Sequence, residues 1–482
     1  MLASVVLGLC VLAAFAGLGA VIVRAILGVH DRLALVGLSV PIGGGVLTWF
    51  LFLVSWAGIP LTPWSSLVVW LLLLAVAVGL VRSGRPRLDI RRHPQPAKGN
   101  QLDAWIRPVA WLAFGGLIGL AGFISLGHAY GSWDAAAGWA AKGYGIAKEG
   151  TIFAGEVWGA WGLAYPLNLP IQIGLFQMFG HDMVPLSKAL FPIFLASLGL
   201  SAYRFWQLQG VSGTLSALGM VFLVSVPLVF LHGTQGYGNV PFTAYFVQGV
   251  LWGIIGLRWR DRRTTLMSGL LLGLSSWTRP EGFLYALAAV AGLLAAFWVT
   301  GQRRFHLTWW LAPLAVIAAA WLLFGWSGMS SDRLGGGAIK ATLEAWRTGA
   351  YHLRELYLIP RLLYDRALDL TRWGTLFQVT AVLVVLRLYK VRPKTSPEIF
   401  VAFVMTALAS FVAIGLFYLQ SYTLGSVFIT VLDRSFDRAF FPAATLMVLT
   451  AVRMYAGDMP KMANASTEAD SGVSAAGDVV AL

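Results

Sequence analysis

Runs of roughly 20 apolar residues recur from the first residue almost to the last of this 482-residue chain, and nothing else constrains its fold as strongly. A helix of that length crosses about 30 Å of hydrocarbon with its backbone N–H and C=O groups bonded internally, so a chain built of such runs folds within a bilayer. Only 12% of the residues are charged, against about 25% in ordinary soluble domains, and mean hydropathy is +0.74. The expected fold class is therefore all-α, a polytopic membrane protein with about 13 transmembrane helices and external amphipathic helices. The spans are expected near 2–23, 33–55, 64–81, 107–127, 185–203, 213–231, 240–257, 264–278, 283–300, 308–328, 374–388, 399–420 and 439–452. The first reads as a retained span, because no Lys or Arg precedes Arg24 and no small-residue cleavage site follows the apolar run.

The formal charge of +14 would suggest nucleic acid in a soluble protein. Here basic residues sort by membrane side first, and with no basic domain or recognition motif a nucleic-acid role is not expected. If the loop Arg82 to Arg107 is cytoplasmic, alternation puts 22 of the 35 Lys and Arg on that side. The remaining 13 lie in 128–188, at Arg279, in 329–373 and at Arg434 and Arg438. Cys10 is the single cysteine, which excludes intrachain disulfides and cysteine metal sites.

Three parts follow: 1–106, three spans and a basic cytoplasmic loop; 107–452, a transmembrane module; and 453–482, a disordered cytoplasmic tail rich in Ala, Ser, Gly and Asp. Segment 166–180 carries Pro166 and Pro170 and must not cross if the alternation holds, so a short interfacial or re-entrant helix is expected there. After Gly335-Gly336-Gly337, the spacing of Leu343, Trp346, Ala350, Leu353, Leu356 and Tyr357 gives an amphipathic helix over 343–364 lying on the membrane.

Among candidate chemistry, Asp134 stands out. It follows a long apolar helix, is flanked by Trp133 and Trp139 as interfacial anchors, and opens the helix-forming stretch Ala-Ala-Ala-Gly-Trp-Ala-Ala-Lys142. A general base needs such rigid placement within reach of an acceptor hydroxyl. The loop returns at Tyr165-Pro166 and Pro170, with Asn168 and Gln172 able to bond a sugar. Trp277-Thr-Arg279-Pro-Glu281-Gly interrupts an apolar stretch, and Arg suits a phosphate through planar bidentate donation. A last external loop is expected to end Asp433-Arg434-Ser-Phe-Asp437-Arg438 before the final span, with headgroup-level Arg as phosphate counter-charge. The Gly-rich turn His232 to Asn239 is no phosphate loop, its lone His reads as structural, and no metal-ligand spacing occurs.

The order of these residues over 107–452 resembles membrane glycosyltransferases of the GT-C fold that use polyprenyl-phosphate sugars, related to protein O-mannosyltransferases and lipid A aminoarabinose transferases. That family shares an acid outside a span, an external amphipathic helix, a proline-containing re-entry motif, a basic residue opening the next span, and a late Arg before a proline-bearing helix. The matching positions are Asp134, helix 135–149, Tyr165-Pro166 to Pro170, Lys188, and Arg438 with Pro442. The chain departs from it in having Ala135 where many relatives have a second acid, Tyr-Pro for Lys-Pro-Pro or His-Pro-Pro, three spans before the one bearing Asp134, and no soluble C-terminal domain.

The resemblance implies an inverting transferase with Asp134 as base. Arg279, Arg438, Lys188 and Arg434 would hold the donor phosphate, and Trp133, Lys142, Tyr165, Asn168 and Glu281 would contact substrate. The implied partners are a polyprenyl-phosphate sugar, membrane lipid and an acceptor glycan, lipid or protein, at a bacterial inner membrane with the site facing the periplasm or exterior. No cofactor is required, since the leaving group is already good, and a divalent metal stays open. A transporter or flippase of a polyprenyl-linked glycan is the alternative, disfavoured because the charges gather at one face and the halves look dissimilar. A non-catalytic subunit of envelope polysaccharide machinery ranks third.

Overall fold

The computed structural model describes residues 2–28, 31–83, 101–158, 165–180, 184–299, 307–328, 336–390, 397–424 and 428–456. The basic stretch 84–100, Gly335 and the tail from 457 lie outside them, as do the side chains of Leu356 and Arg434. Every described element is helical.

Helices α1 (Leu2–Leu27), α2 (Arg32–Trp56), α3 (Pro63–Arg82) and α4 (Gln101–Gly127) come first. A π-helical segment, Asp134–Ala140, then runs into α5 (Ala141–Glu149) and the short α6 (Ala154–Trp158). Helices α7 (Asn168–Gly180), α8 (Val184–Ser187), α9 (Leu190–Leu208), α10 (Gly213–Ser225) and α11 (Pro227–His232) lead to α12 (Asn239–Trp259). Next are α13 (Arg262–Ser276), α14 (Gly282–Val299) and α15 (Leu307–Gly328). Helices α16 (Gly336–Arg347), α17 (Leu353–Ala367) and α18 (Leu370–Trp373) precede α19 (Leu376–Lys390), α20 (Pro397–Leu424) and α21 (Phe428–Tyr455).

Among the described residues nine helices are long and apolar enough to cross a bilayer, which makes this an all-α polytopic membrane protein. The other four expected spans are shorter. Pro227 breaks α10 from α11, α14 offers a shorter apolar stretch, and α13 and α19 hold 15 residues each, about 22 Å of helix.

Small residues set the packing. An added Cβ at Gly19 would lie 1.8 Å from the Ser39 carbonyl oxygen, and one at Gly43 would lie 1.9 Å from that of Phe15, so α1 and α2 cross backbone to backbone. Helix α12 is enclosed along its whole apolar length. An apolar cavity of about 250 Å³ opens between α1, α3 and α7, lined by Cys10, Phe15, Ser66, Trp70, Leu175 and Phe179.

The helix ends sort into two groups. At one, Ser55 at the end of α2 accepts from the Ile152 N–H at 3.1 Å, Lys188 before α9 reaches the chain after α4, and Asn239 at the start of α12 meets the α13–α14 link. We call this the Asp134 end. At the other, Asp31 caps α2 and pairs with Arg204, Arg258 donates to Gln209 at 2.7 Å, and Asp261 caps α13.

Helix α7 begins beside Thr278 and is followed by Lys188 at the end of α4, both at the Asp134 end. It enters and leaves on one face, which fits a re-entrant helix. It is nonetheless seated in the bundle, with Gln172 against Gly44 of α2 and Phe176 against Phe15 of α1.

Two boundaries differ from the sequence expectation. The amphipathic stretch is two helices, because Gly349 takes φ +75° between α16 and α17, and Gly336-Gly337 belong to the helix as the opening of α16 instead of preceding it. Helix α21 starts at Phe428, so Asp433, Asp437 and Arg438 lie on a helix and not in a loop. No Gly or Pro stops the helix before Pro442, and two of its charged side chains find partners on neighbouring segments.

Candidate functional site

Five segments meet at the Asp134 end. Ser132 caps the first: its Oγ accepts the Ala135 N–H at 3.2 Å and its carbonyl accepts the Ala136 N–H at 2.9 Å, which starts the π-helical segment at Asp134. π-Helical turns are uncommon and concentrate at functional sites. Downstream this helix is pinned to α7, where a Cβ on Gly143 would lie 2.8 Å from the Pro170 carbonyl oxygen. Ala135 and Trp139 are buried, which leaves the half-buried Asp134 a defined direction.

Asp134 accepts from the Arg438 guanidinium, 304 residues away in the chain. Arg438 also lies 5.7 Å from the ring centre of Tyr237 and donates to Ser435 Oγ at 3.3 Å. A second ion pair stands nearby, Arg279 Nε to Glu281 Oε1 at 2.6 Å, and Arg279 Nη1 donates to Asn239 Oδ1. Burial works against the Arg279 charge, but Glu281, Tyr165 and Asp134 more than offset it and raise its pKa.

Tyr165 sits among these four charges. Burial chiefly raises its pKa, with Arg279 and Arg438 opposing and Glu281 and Asp134 assisting. Its ring packs on Trp139 at 5.6 Å, with the Lys142 Nζ 5.7 Å from its centre. Asp134, Arg438, Arg279, Glu281 and Tyr165 thus form one cluster of alternating charge.

The other expected residues sit elsewhere. Lys188 donates to the carbonyls of His128 and Ala129, capping the chain as it leaves α4, so its ammonium is committed there and not to the cluster. Asn168 lies beneath the cluster in a buried network. It accepts from Thr48 Oγ1 at 2.7 Å and Gln172 Nε2 at 2.8 Å, and donates to Thr278 Oγ1 at 2.8 Å. Lys142 is fully buried against α7, and Trp133 is 64% exposed.

Two features escaped the sequence reading. His232 and Asn239 join the cluster through the Arg279 contact, and only the polar Gly-rich turn between apolar helices hinted at it. Beside Arg438, Asp437 is 3% exposed and accepts from Arg372 and from the Trp373 indole at 3.3 Å, while Arg366 pairs with Asp433. These pairs tie α17 and α18 to α21. Asp369 caps α18, and its hydrogen bonds from Thr371 hold its pKa down. An Asp-x-Thr before a short helix was the available signal.

Among the described residues no three His, Cys, Asp or Glu side chains gather as metal ligands. What the cluster offers is a carboxylate able to take a proton and two planar guanidiniums able to grip an oxyanion. Comparison with protein families, with characterised proteins and with solved structures yields no match.

Proposed function

We propose that the chain is an inverting glycosyltransferase that takes a sugar from a polyprenyl-phosphate donor at the Asp134 end. The observation that carries this reading is the meeting of Asp134, Arg279 and Arg438 around Tyr165, from segments at least 140 residues apart in sequence. In the reaction, Asp134 removes the acceptor hydroxyl proton as that oxygen bonds to the anomeric carbon. The bond from that carbon to the phosphate oxygen breaks, its electron pair stays on the oxygen, and polyprenyl phosphate leaves. Arg279 and Arg438 stabilise the charge that develops there, a preorganised electrostatic contribution.

The Asp134–Arg438 pair adds a step. Arg438 holds the base neutralised until the donor phosphate draws the guanidinium away, so Asp134 becomes available when donor is bound. The GT-C-like architecture of 13 crossings, with the Asp134 end extracytoplasmic, belongs to the same proposal, supported by helix ends that alternate between the two groups. Lipid delivery suits that side, where nucleotide sugars are scarce.

The test is Asp134→Asn in reconstituted vesicles supplied with a polyprenyl-phosphate sugar. The variant should fold and insert yet lose transfer by about 10²-fold or more. Substantial turnover would remove Asp134 from the base role, and donor flipping with no new glycosidic bond would favour a transporter.

A further inference from the structure

His232 belongs to neither ion pair, yet it connects the two arginines. An Arg side chain only donates, so the Asn239 atom facing Arg279 must be its oxygen, whichever way the amide is drawn. The Asn239 nitrogen therefore faces His232 Nδ1, at 3.0 Å, and donates to it. That polarity requires an unprotonated Nδ1, a neutral imidazole with its proton on Nε2.

The ring is equally constrained. It stacks on Phe441 with 5.3 Å between centres and 6° between planes, and Tyr237 lies 4.6 Å away. Phe441 stands three residues beyond Arg438 on α21, and Tyr237 underlies the Arg438 guanidinium. Burial first, then the fields of Arg438 and Arg279, push the His232 pKa down to about 3, which keeps the acceptor form. A chain of contacts thus runs from Arg279 through Asn239 and His232 to α21 and Arg438.

We infer that His232 is a positioning residue: through Asn239 it sets Arg279 at a fixed offset from Arg438, so that both guanidiniums address one phosphate. This rests on the donor-phosphate reading of the two arginines. The test is binding of a polyprenyl monophosphate in mixed micelles to the full chain, with the uncharged polyprenol as control.

His232→Phe keeps the stack and lacks the acceptor, whereas His232→Asn offers a carbonyl oxygen near the Nδ1 position without the ring. Affinity for the monophosphate should fall roughly tenfold or more in His232→Phe and stay within about threefold of wild type in His232→Asn. Polyprenol binding should be equal in all three. Adding Asn239→Val to His232→Phe should cost less than the sum of the two single losses, since both break the His232–Asn239 contact while Val also removes the bond to Arg279. Should His232→Phe not yield monodisperse protein, Asn239→Val alone breaks that contact together with the Arg279 bond and should show at least the same loss.

Wild-type phosphate affinity in His232→Phe or Asn239→Val, or equal losses in the Phe and Asn variants, would overturn the inference. A wild-type chain that binds phosphate and alcohol alike sinks the donor-site reading instead, which is a separable result.

Discussion

Arg372→Met should cost stability in a way that a second substitution repairs. Asp437 is 3% exposed and has two side-chain donors, Arg372 and the Trp373 indole at the long distance of 3.3 Å. Without Arg372 a buried carboxylate keeps one weak donor. Breaking a fully buried pair costs roughly 3–5 kcal/mol. The Arg372 side chain is 36% exposed, so water can enter in its place, and we expect about 2 kcal/mol.

Asp437→Leu should cost about 1 kcal/mol or less, because Arg372 retains Asp369 at 3.1 Å and solvent. The double variant should then also lose only about 1 kcal/mol, since the stranded charge is gone, giving a coupling of about 2 kcal/mol. Chemical unfolding in mixed micelles, followed by tryptophan fluorescence, measures all three. Additive losses, or a neutral Arg372→Met, would refute the account of α18 as clamped to α21 through Asp437.

Other outcomes follow from single contacts. Gly19→Ala, forced 1.8 Å from the Ser39 oxygen, should destabilise by roughly 1–3 kcal/mol, whereas Gly17→Ala on the same helix meets nothing within 4 Å and should gain up to about 1 kcal/mol. Matching unfolding midpoints would contradict this. His232 titrates near 3 when folded and near 6.5 when unfolded, so its contribution is full above pH 6.5 and drains as pH falls toward 3. About 2 kcal/mol should be gone by pH 5, and a melting series in His232→Phe should lack that limb. Lys188→Met should lower stability by about 1–3 kcal/mol through the uncapped carbonyls after α4 while polyprenyl-phosphate affinity stays at the wild-type value, and a parallel fall in affinity would return Lys188 to the donor site.

Long apolar runs made most of the helices legible, because each run alone dictates a helix in hydrocarbon. Where several weak preferences compete, the reading was poorer. The start of α21 at Phe428 is decided by partners on α17 and α18, which apolar periodicity does not register. Asp134 and Arg438 are each visible in the sequence as charges beside apolar runs, but a bond across 304 residues is a property of packing. Lys188 looked like a phosphate ligand because a basic residue opens a span. Its actual partners are backbone carbonyls, which carry no sequence signature. Nor does the sequence register the role of His232, since the polarity of its bond follows from Arg279, 47 positions on.

Helix α7 has a consequence for how the chain is made. At 13 residues it is about 20 Å long, and it buries the amides of Asn168, Gln172 and Gln177, so it has neither the length nor the apolarity to enter a bilayer by itself. Its seat is lined by α1, α2 and α3, all synthesised before it. Thr278, which accepts from Asn168, is translated 110 residues later. Asn168 therefore waits with one donor unmet until Thr278 arrives, and that late bond is one of several, with Tyr245 to the Pro41 carbonyl among them, that tie the first half of the protein to the second.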